Sequence, residues 1–377
     1  MLRRFFCCVM VLVTILSCSS VAGLADSADK GYIIVTDTLQ ANSGTDVSDE
    51  IQSIIDRNPN RTIYFPDGEY LVSKPILTPA EPTKSVSLEL SNYAVIKAVG
   101  NWQGSEAIIQ LGGKSPANNT HTNGSNYYLD GGIIDGSGVA NGISINSGRE
   151  TAVRNVSIKN TVIGIHIMYG ANSGSSDSDI TGINIIGTGK TDSKGILIEG
   201  FDNTLTNIRI GNVFIGVHVK SSGNILRNIH PLYYSDYTDF KNSCGFLEDS
   251  SNNWYDYCYS DQFGNGFRTT GNGESIFHNC FCYWYSSSGE VHTAFRADKE
   301  FNSIITNFKI GFREDTKKNN VLVVGSPFGE GTIDNLSVSS KSASNRMYKA
   351  FMEDVTIFER IFGFFSILFD LMFNFSA

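Results

Sequence analysis

Short runs built on alternate apolar positions recur through the middle of the chain. Four of them follow the order glycine, apolar, any residue, apolar, and read GISI, GIHI, GILI and GVHV at residues 142–145, 164–167, 195–198 and 216–219. Because successive side chains of a β-strand point to opposite faces, each run places its apolar residues on one face. No helical period of 3.6 residues occurs between the runs. The pattern therefore predicts short strands joined by turns.

A second element accompanies the first and centres on an asparagine that is followed by an apolar residue. Its copies are spaced 21 to 28 residues apart, at Asn155, Gly182, Asn207, Asn228, Asp256, Asn279, Asn307 and Asn335. A unit of this length made only of strands and turns is typical of one coil of a parallel β-helix. Asparagine suits the turns, because it tolerates the left-handed conformation and stacked copies can hydrogen-bond along a ladder. We therefore predict an all-β fold, a single-stranded right-handed parallel β-helix over residues 26–343.

The front of this domain predicts a helix from Asp46 to Asp56. Asp46 can cap it, and Ile51, Ile54 and Ile55 share one face. A strand, a Pro-x-Gly turn and another strand follow at residues 62–72. A stack of parallel coils has an exposed apolar end, so we expect the helix to cover that end.

The first 25 residues have the features of a secretory signal peptide. Two arginines precede the apolar stretch 5–16, which is too short to span a membrane, and residues 23–25 offer a small-x-small cleavage pattern. The sequence Leu-Ser-Cys at 16–18 loosely resembles a lipoprotein box, so a lipidated form is the alternative. Both interpretations predict a protein that is secreted or held at the cell surface.

The last segment, residues 344–377, predicts an apolar amphipathic helix. Its polar or small residues fall on one narrow stripe, at Glu359, Gly363, Ser366, Asp370 and Asn374. The wide apolar face fits a cap over the end of the coils, or contact with a membrane surface. The sequence leaves both roles open.

Composition narrows the choice of partners. The chain has 377 residues, 41% hydrophobic and 18% charged, which is enough apolar material for a core and excludes long-range disorder. A net charge of −9 argues against a nucleic-acid partner. Four cysteines remain after removal of the signal: Cys244, Cys258, Cys280 and Cys282. Their spacing does not form a zinc site, and the last two are predicted to face inward as core thiols, so we expect no metal ligands here.

Three stretches resemble a known superfamily. Residues 46–52 (DVSDEIQ), 63–70 (IYFPDGEY) and 133–138 (IIDGSG) look like the signature of the pectate-lyase-like superfamily, in the branch related to glycoside hydrolase family 28. The resemblance covers about residues 32–340 and implies a β-helix fold, secretion and contact with saccharides. The catalytic motifs N-T-D, D-D, G-H-G and R-I-K of polygalacturonases do not occur in order. No catalytic residue is therefore carried over from that family.

Aromatic residues concentrate between residues 230 and 300. This stretch has 17 aromatic residues among 71, about 24%, against 11% for the whole chain. Tyr and Trp combine an apolar ring with a polar tip, which suits the C–H faces and hydroxyl groups of sugars. The best candidates for outward-facing rings that bind substrate are Trp254, Tyr259, Tyr283 and Trp284.

The same stretch contains the candidate catalytic groups Asp236, Asp256, Asp261 and Glu290. Glycoside hydrolysis needs two acids, roughly 5 to 9.5 Å apart, and outward acids on coils spaced about 4.8 Å fall in that range. Asp236 and Asp261 lie one repeat apart at a similar phase. Further candidates for substrate contact are Lys241, Arg268, Arg296 and His230, of which the first three could neutralise a uronate or act in a lyase.

These observations predict a carbohydrate-active β-helix protein that cleaves an acidic or pectin-like polysaccharide by glycosidic hydrolysis. Two alternatives remain: a polysaccharide lyase acting by β-elimination, and a non-catalytic glycan-binding protein or surface adhesin. We expect no cofactor, except a divalent cation such as calcium if the protein is a lyase. The expected partner is a polysaccharide, with membrane-surface contact possible through the C-terminal helix.

Overall fold

Parallel strands wind through almost all of the described chain. The computed structural model describes residues 31–102, 106–115, 127–169, 175–234, 239–271, 273–285, 291–312, 319–326, 329–340 and 346–350. Within these ranges, 19 strands form sheet A and 11 strands form sheet B, with coil after coil paired in parallel. The predicted parallel β-helix is confirmed.

The two terminal predictions lie outside the described residues. These are the signal peptide, residues 1–25, and the apolar stretch from 351 to 377 that holds most of the predicted C-terminal helix. Both remain predictions, except that residues 346–350, predicted as part of the C-terminal helix, form a strand that pairs with the preceding coil of sheet B. Among the residues that the structure describes, no helix combines the length and the apolar character needed to cross a membrane.

Each coil adds one or two strands to sheet A and one strand to sheet B. The strands of sheet A are β1 (Tyr32–Ile34), β2 (Thr62–Phe65), β3 (Gly68–Val72), β5 (Ser87–Leu90), β6 (Ala94–Ala98), β8 (Tyr128–Asp130), β9 (Ile133–Asp135), β11 (Ala152–Arg154), β12 (Ser157–Thr161), β14 (Asp179–Thr181), β15 (Asn184–Gly187), β17 (Thr204–Gly211), β19 (Ile225–Leu232), β21 (Trp254–Asp256), β22 (Tyr259–Asp261), β24 (Ile276–His278), β25 (Phe281–Trp284), β27 (Ile304–Phe312) and β29 (Thr332–Ser340). The strands of sheet B are β4 (Ile76–Pro79), β7 (Ala107–Lys114), β10 (Asn141–Ile145), β13 (Ile163–Ile167), β16 (Lys194–Ile198), β18 (Ile215–Val219), β20 (Cys244–Glu248), β23 (Asn265–Thr269), β26 (Thr293–Glu300), β28 (Asn320–Ser326) and β30 (Arg346–Ala350).

The helix α1 (Ser48–Arg57) covers the first coil, and three single-turn 3-10 helices lie at Val35–Asp37, Pro82–Lys84 and Phe240–Asn242. Ile51, Ile54 and Ile55 of α1 are buried, as predicted. The helix begins two residues later than expected. Asp46 accepts a hydrogen bond from the backbone N–H of Ser48 at 3.0 Å, which satisfies one of the amides that a helix N-terminus leaves unpaired.

The recurrent asparagines form a left-handed bend in sheet A, which lies inside the long strands β17, β19, β27 and β29 and between the paired short strands at Asn155 and Asn279. Asn207 and Asn228 have φ of 57° and 51°, in the left-handed region. Their side chains are linked by a hydrogen bond from Asn228 Nδ2 to Asn207 Oδ1 at 2.8 Å, and Asn335 donates in the same way to Asn307 at 2.6 Å. The predicted asparagine ladder is confirmed at these bends.

One copy of the repeat was placed one residue too early. Asp256 pairs with Arg227 in the strand register, so the bend position next to Asn228 belongs to Tyr257. Tyr257 has φ of 53°, which is uncommon for a bulky residue. The sequence misleads here because Asp is a commoner turn residue than Tyr.

The glycine that opens the recurrent runs is required by close packing between coils. Gly164, Gly195 and Gly216 stand at successive coils of sheet B, where an added Cβ would lie 2.4 to 2.6 Å from the carbonyl oxygen of the next coil's glycine. The residues that directly follow these glycines, Ile165, Ile196 and Val217, face inward, stack in register and are fully buried. Burial of each such side chain contributes about 1.5 to 3 kcal/mol.

A ladder of amides runs inside another corner of the coils. Asn203 donates to Asn224 at 2.9 Å, and Asn224 donates to Asn253 at 3.1 Å. Asn253 in turn donates to Oε1 of Glu248 at 2.9 Å, and Ser275 also donates to that oxygen. Glu248 is 1% exposed. Burial raises the pKa of Glu248 to about 7, and the hydrogen bonds from Ser275 and Asn253 only partly oppose this.

The four cysteines beyond the predicted signal are all buried and unbridged. Cys280 and Cys282 face the core, as the strand pattern predicted. Burial raises the pKa of both thiols well above the ordinary value, so both stay protonated at neutral pH.

Candidate functional site

The outer face of sheet B carries a line of charged and imidazole side chains across successive coils. Each strand of sheet B from β13 to β26 contributes one outward residue to this line, and the six residues pair in strict register. They are His166, Leu197, His218, Leu247, Arg268 and Arg296. We call this set the donor row. Parallel strands hold equivalent positions about 4.8 Å apart, so the row runs along the axis of the coils.

A second row lies beside it and continues the same register, at the residue that follows β16, β18, β20 and β23 and at Asp298 within β26. From β16 to β26 its members are Glu199, Lys220, Asp249, Thr270 and Asp298. We call this set the acid row. An acid occupies every second coil, and each acid is bound by a donor-row side chain from the coil before it.

Glu199 is held from both neighbouring coils. Its Oε2 lies 2.9 Å from Nε2 of His166, and its Oε1 accepts a hydrogen bond from Lys220 Nζ at 2.6 Å. Partial burial raises the pKa of Glu199, but the hydrogen bonds from Lys220 and His166 outweigh it and leave the pKa below the ordinary value. The carboxylate is therefore ionised at neutral pH, and the Nε2 of His166 must carry the hydrogen between them.

Asp249 repeats this arrangement two coils further on. Its Oδ2 lies 2.7 Å from Nε2 of His218, and its Oδ1 accepts a hydrogen bond from Thr270 Oγ1 at 2.5 Å. The hydrogen bond with His218 lowers the pKa of Asp249, against partial burial, and Thr270 adds to the effect. The other ring nitrogen of His218, Nδ1, is buried without a hydrogen-bond partner in the described part of the chain.

Asp298 closes the row and holds both arginines that were predicted to bind substrate. Arg268 donates from Nε and Nη2 to Asp298 Oδ2 at 2.8 and 2.6 Å, and Arg296 donates from Nε to Oδ1 at 2.5 Å. Their position on an outer face is as expected. Their two positive charges are partly offset within the protein, because both donate to the single carboxylate of Asp298.

The rings predicted to bind substrate lie mainly on another face, formed by the second strands of sheet A. His230 and Tyr259 stack with ring centroids 4.1 Å apart, and Tyr259 stacks on Phe281 at 4.8 Å. Tyr283 tilts against Phe281 at 5.9 Å. Since neighbouring rings cover each other's faces, a sugar approaching from solvent meets their edges. The flat platform expected from the sequence is therefore not available along this ladder.

Asp261 lies beside this ladder. Its Oδ2 accepts a hydrogen bond from the Tyr259 hydroxyl at 2.9 Å and lies 3.6 Å from Nε2 of His230. Its Oδ1 is buried, and among the described residues no hydrogen-bond partner reaches it. Burial, reinforced by Asp261, raises the pKa of Tyr259 far above the ordinary value, so the phenol stays protonated and donates to Asp261. Asp261, Tyr259 and His230 are brought together as predicted candidates.

Two predicted rings lie elsewhere. Trp284 is 1% exposed and donates from its indole N–H to the Phe263 carbonyl at 2.8 Å, so the prediction that it faces outward is wrong. Alternation along β25 puts Trp284 on the same inward face as Cys282. Trp254 is 45% exposed, as predicted, but on the face of the first strands of sheet A.

The other candidates are scattered. Asp256 shares the face of Trp254, where its Oδ2 lies 3.4 Å from Arg227 Nε. Lys241 is exposed in the short 3-10 helix. Asp236 and Glu290 lie outside the described residues. The predicted catalytic pair of Asp236 and Asp261 thus stays a prediction.

Sequence reasoning missed the rows on sheet B, although part of the signal was present. His166 and His218 occupy the same outward place in the runs GIHI and GVHV. Their acids lie 33 and 31 residues further along the chain, in the next coil, where only the strand register brings them together. In the described ranges, no group of three or more His, Cys, Asp or Glu side chains is placed to hold a metal ion.

The architecture defines a parallel β-helix protein, and comparison with solved structures agrees. A tailspike protein mutant of E. coli bacteriophage HK620, in complex with a pentasaccharide, matches with a TM-score of 0.70 at 11% identity, covering 88% of this chain and 65% of that one. The N-terminal fragment of gene product 12 of bacteriophage Phi29 matches with a TM-score of 0.56 at 13% identity, covering 90% and 67%. The Agl-KA catalytic domain matches with a TM-score of 0.50 at 12% identity, covering 86% and 69%.

At these identities the comparisons establish a shared fold alone. This chain spans about two thirds of the length of the tailspike chain. For another HK620 tailspike variant, the covered share of that chain is 66%. No protein-family model matches the chain, and no curated protein matches it in sequence. The branch related to glycoside hydrolase family 28 thus remains a prediction.

Proposed function

We propose that this protein acts on a polysaccharide outside the cell, and that it binds the glycan along the outer face of sheet B and hydrolyses its glycosidic bonds there. The observation that carries the proposal is the pair of equivalent imidazole–carboxylate contacts, His166 with Glu199 and His218 with Asp249, two coils apart on one face. The saccharide-bound tailspike with the same fold supports a glycan as the ligand class.

The spacing of the two acids is at the upper limit of the range used for hydrolysis with inversion. Glu199 and Asp249 extend from positions two coils apart, about 9.6 Å along the axis. Inverting glycosidases place their two carboxyl groups roughly 6.5 to 9.5 Å apart, which leaves room for a water molecule. The lowered pKa of each acid keeps both in the carboxylate form that activates water.

The proton for the leaving oxygen then comes from an imidazole. Imidazole exchanges protons readily near neutral pH, and His218 lies hydrogen-bonded to Asp249 on this face. In this proposal Glu199 takes a proton from the attacking water, and Nε2 of His218, in the imidazolium form beside Asp249, gives its proton to the leaving oxygen. Solvent then carries the proton from Glu199 back to His218. The row runs along the coils, so a linear chain can contact both groups.

A second candidate function is glycan binding without cleavage. This function is favoured by the lowered pKa of Glu199 and of Asp249, because a carboxylic general acid requires a raised pKa. Each acid also accepts hydrogen bonds from two protein groups, which stabilises it as a fixed acceptor for sugar hydroxyls.

The test is incubation of the full-length purified protein with a panel of neutral, uronate-containing and sulfated polysaccharides. New reducing ends and the ultraviolet absorbance of unsaturated uronates are followed in parallel. Asp249→Asn is expected to lower the rate of reducing-end formation by at least about 10²-fold. The matched control is Asp179→Asn, which removes an acid paired with Arg154 at 3.1 Å on a face of sheet A.

Reducing ends without ultraviolet absorbance support hydrolysis. An absorbance that rises together with the reducing ends would contradict hydrolysis and support β-elimination. In that case a chelator tests whether the reaction requires calcium. Binding with no product supports the second candidate. Equal losses in Asp249→Asn and Asp179→Asn contradict a site on sheet B.

A further inference from the structure

We infer that the ligand of the sheet B face is an uncharged polysaccharide whose chemical repeat is a disaccharide, an inference that rests on the proposed function. The structural basis is a two-coil repeat of the surface groups. A donor-row side chain binds the acid of the following coil three times, as His166 with Glu199, His218 with Asp249 and Arg268 with Asp298.

The two-coil repeat occurs among the surface side chains of sheet B and not in its core. The core of sheet B repeats at every coil, with Ile165, Ile196 and Val217 at one position. On the outside, Leu197 and Leu247 stand at the first two intervening coils of the donor row, and Arg296 stands at the third. Nothing in stacked backbone pairing requires this alternation, because every coil offers the same outward position.

The repeat length fits a two-sugar unit. Two coils advance about 9.6 Å along the axis. That advance is comparable with the length of a disaccharide in an extended glycan. A glycan with a disaccharide repeat therefore presents the same hydroxyl groups to His166–Glu199 and to His218–Asp249. A ligand whose units match single coils would meet a leucine, Leu197 or Leu247, between the polar contacts of His166, His218 and Arg268.

The charges of the face favour a neutral ligand. Lys220 donates to Glu199 at 2.6 Å, and Arg268 and Arg296 both donate to Asp298. Summed over the two rows, the three cations equal the three acids in number, and the third acid, Asp249, is held by His218 and Thr270. A uronate or sulfate group would approach these carboxylates and compete with them for the same donors. Sugar hydroxyls both donate and accept, so they can bridge acids and donors without displacing either.

This inference departs from the acidic glycan expected from the sequence. That expectation assigned Arg268 and Arg296 to neutralising a uronate. The structure shows both guanidinium groups within hydrogen-bond distance of one aspartate, Asp298. The local charge available to an anionic ligand is correspondingly reduced.

The experiment compares ligands that differ only in charge. Affinities of the full-length protein are measured by calorimetry for hyaluronan and for its carboxyl-reduced, uncharged derivative, at low and high salt. The panel also includes agaro-oligosaccharides, which are neutral with a disaccharide repeat, dextran, which has a single-sugar repeat, and polygalacturonan. Glu199→Gln and Asp249→Asn are measured against Glu69→Gln and Asp179→Asn, matched changes at ion pairs on sheet A.

We expect a neutral glycan with a disaccharide repeat to bind about tenfold or more tightly than its charged counterpart, with little dependence on salt. Glu199→Gln and Asp249→Asn should weaken binding by similar factors, because they stand at equivalent points of the repeat. Tighter, salt-sensitive binding of hyaluronan or polygalacturonan, or a preference for dextran, overturns the inference while the proposed function stands. Failure of every glycan to bind overturns the proposed function itself.

Discussion

Replacement of Glu248 by glutamine should stabilise the protein, and only at neutral to alkaline pH. The carboxyl group is 1% exposed and its pKa is raised from the ordinary value of 4.5 to about 7. Between these two values the folded state holds a proton that the unfolded state has released. Stability is therefore lost as the pH rises from 4.5 to 7, and the full penalty is present above pH 7.

The size of the effect follows from the shift. A difference of about 2.5 pKa units at about 1.36 kcal/mol each corresponds to about 3 kcal/mol. Glutamine keeps an oxygen that can accept from Asn253 and Ser275, and it stays uncharged at every pH. Glu248→Gln should thus exceed the wild type by about 3 kcal/mol at pH 8 and by less than about 1 kcal/mol at pH 5.

The assay is urea unfolding followed by circular dichroism at both pH values. Glu274→Gln is the matched control, since Glu274 is exposed next to Ser275 and undergoes the same chemical change. Its free energy of unfolding should stay within about 0.5 kcal/mol of the wild type. A gain from Glu248→Gln that is equal at pH 5 and pH 8, or a loss at pH 8, would refute the reasoning from a buried charge.

Three further changes are expected to have measurable outcomes. Gly195→Ala should lower the free energy of unfolding by about 1 to 3 kcal/mol, because the added Cβ meets Gly216 O and Ile210 Cγ2 at 2.5 Å, whereas Gly100→Ala, in open space, should be neutral in the same urea titration. Tyr257→Asn should raise the melting temperature, since Asn tolerates the left-handed bend that is unfavourable for Tyr by about 1 kcal/mol, and an unchanged or lower melting temperature would contradict the bend assignment. Deletion of residues 355–377 should release the protein from the membrane fraction if that segment mediates contact with a membrane surface, and retention there would exclude the segment as the anchor.

The positions of the coils along the sequence could be predicted wherever the backbone geometry allows only certain residue types. Asn207 and Asn228 recur because their bend needs a left-handed residue, and Gly164 and Gly195 recur because a Cβ has no space. Tyr257 broke the pattern at one coil. Its neighbour Asp256 resembles a turn residue more closely, and only strand pairing with Arg227 resolves the choice.

The alternation along each strand also determines whether a side chain faces the core or the solvent, but the sequence prediction applied it to only some residues. Cys282 was correctly predicted to face inward, and strict alternation then requires Trp284 to face inward as well. Glu248 follows the inward Phe246 by two residues in the same way. Trp284 was expected outside because its indole carries a polar N–H. The structure buries both Trp284 and Glu248 by supplying a partner, the Phe263 carbonyl for the indole and Asn253 for the carboxyl.

The candidate site was not predicted because, in a solenoid, residues that are neighbours in space lie a whole coil apart in the sequence. A search for aromatic density selected residues 230–300, yet many of those rings fill the core: Phe246 stacks on Phe267 at 4.7 Å, and Tyr255 on Phe277 at 4.5 Å. High aromatic content in these coils therefore reflects packing inside them. The groups that face a ligand are those that repeat at one outward register position, and they are found by aligning coils and not by counting residues in a window.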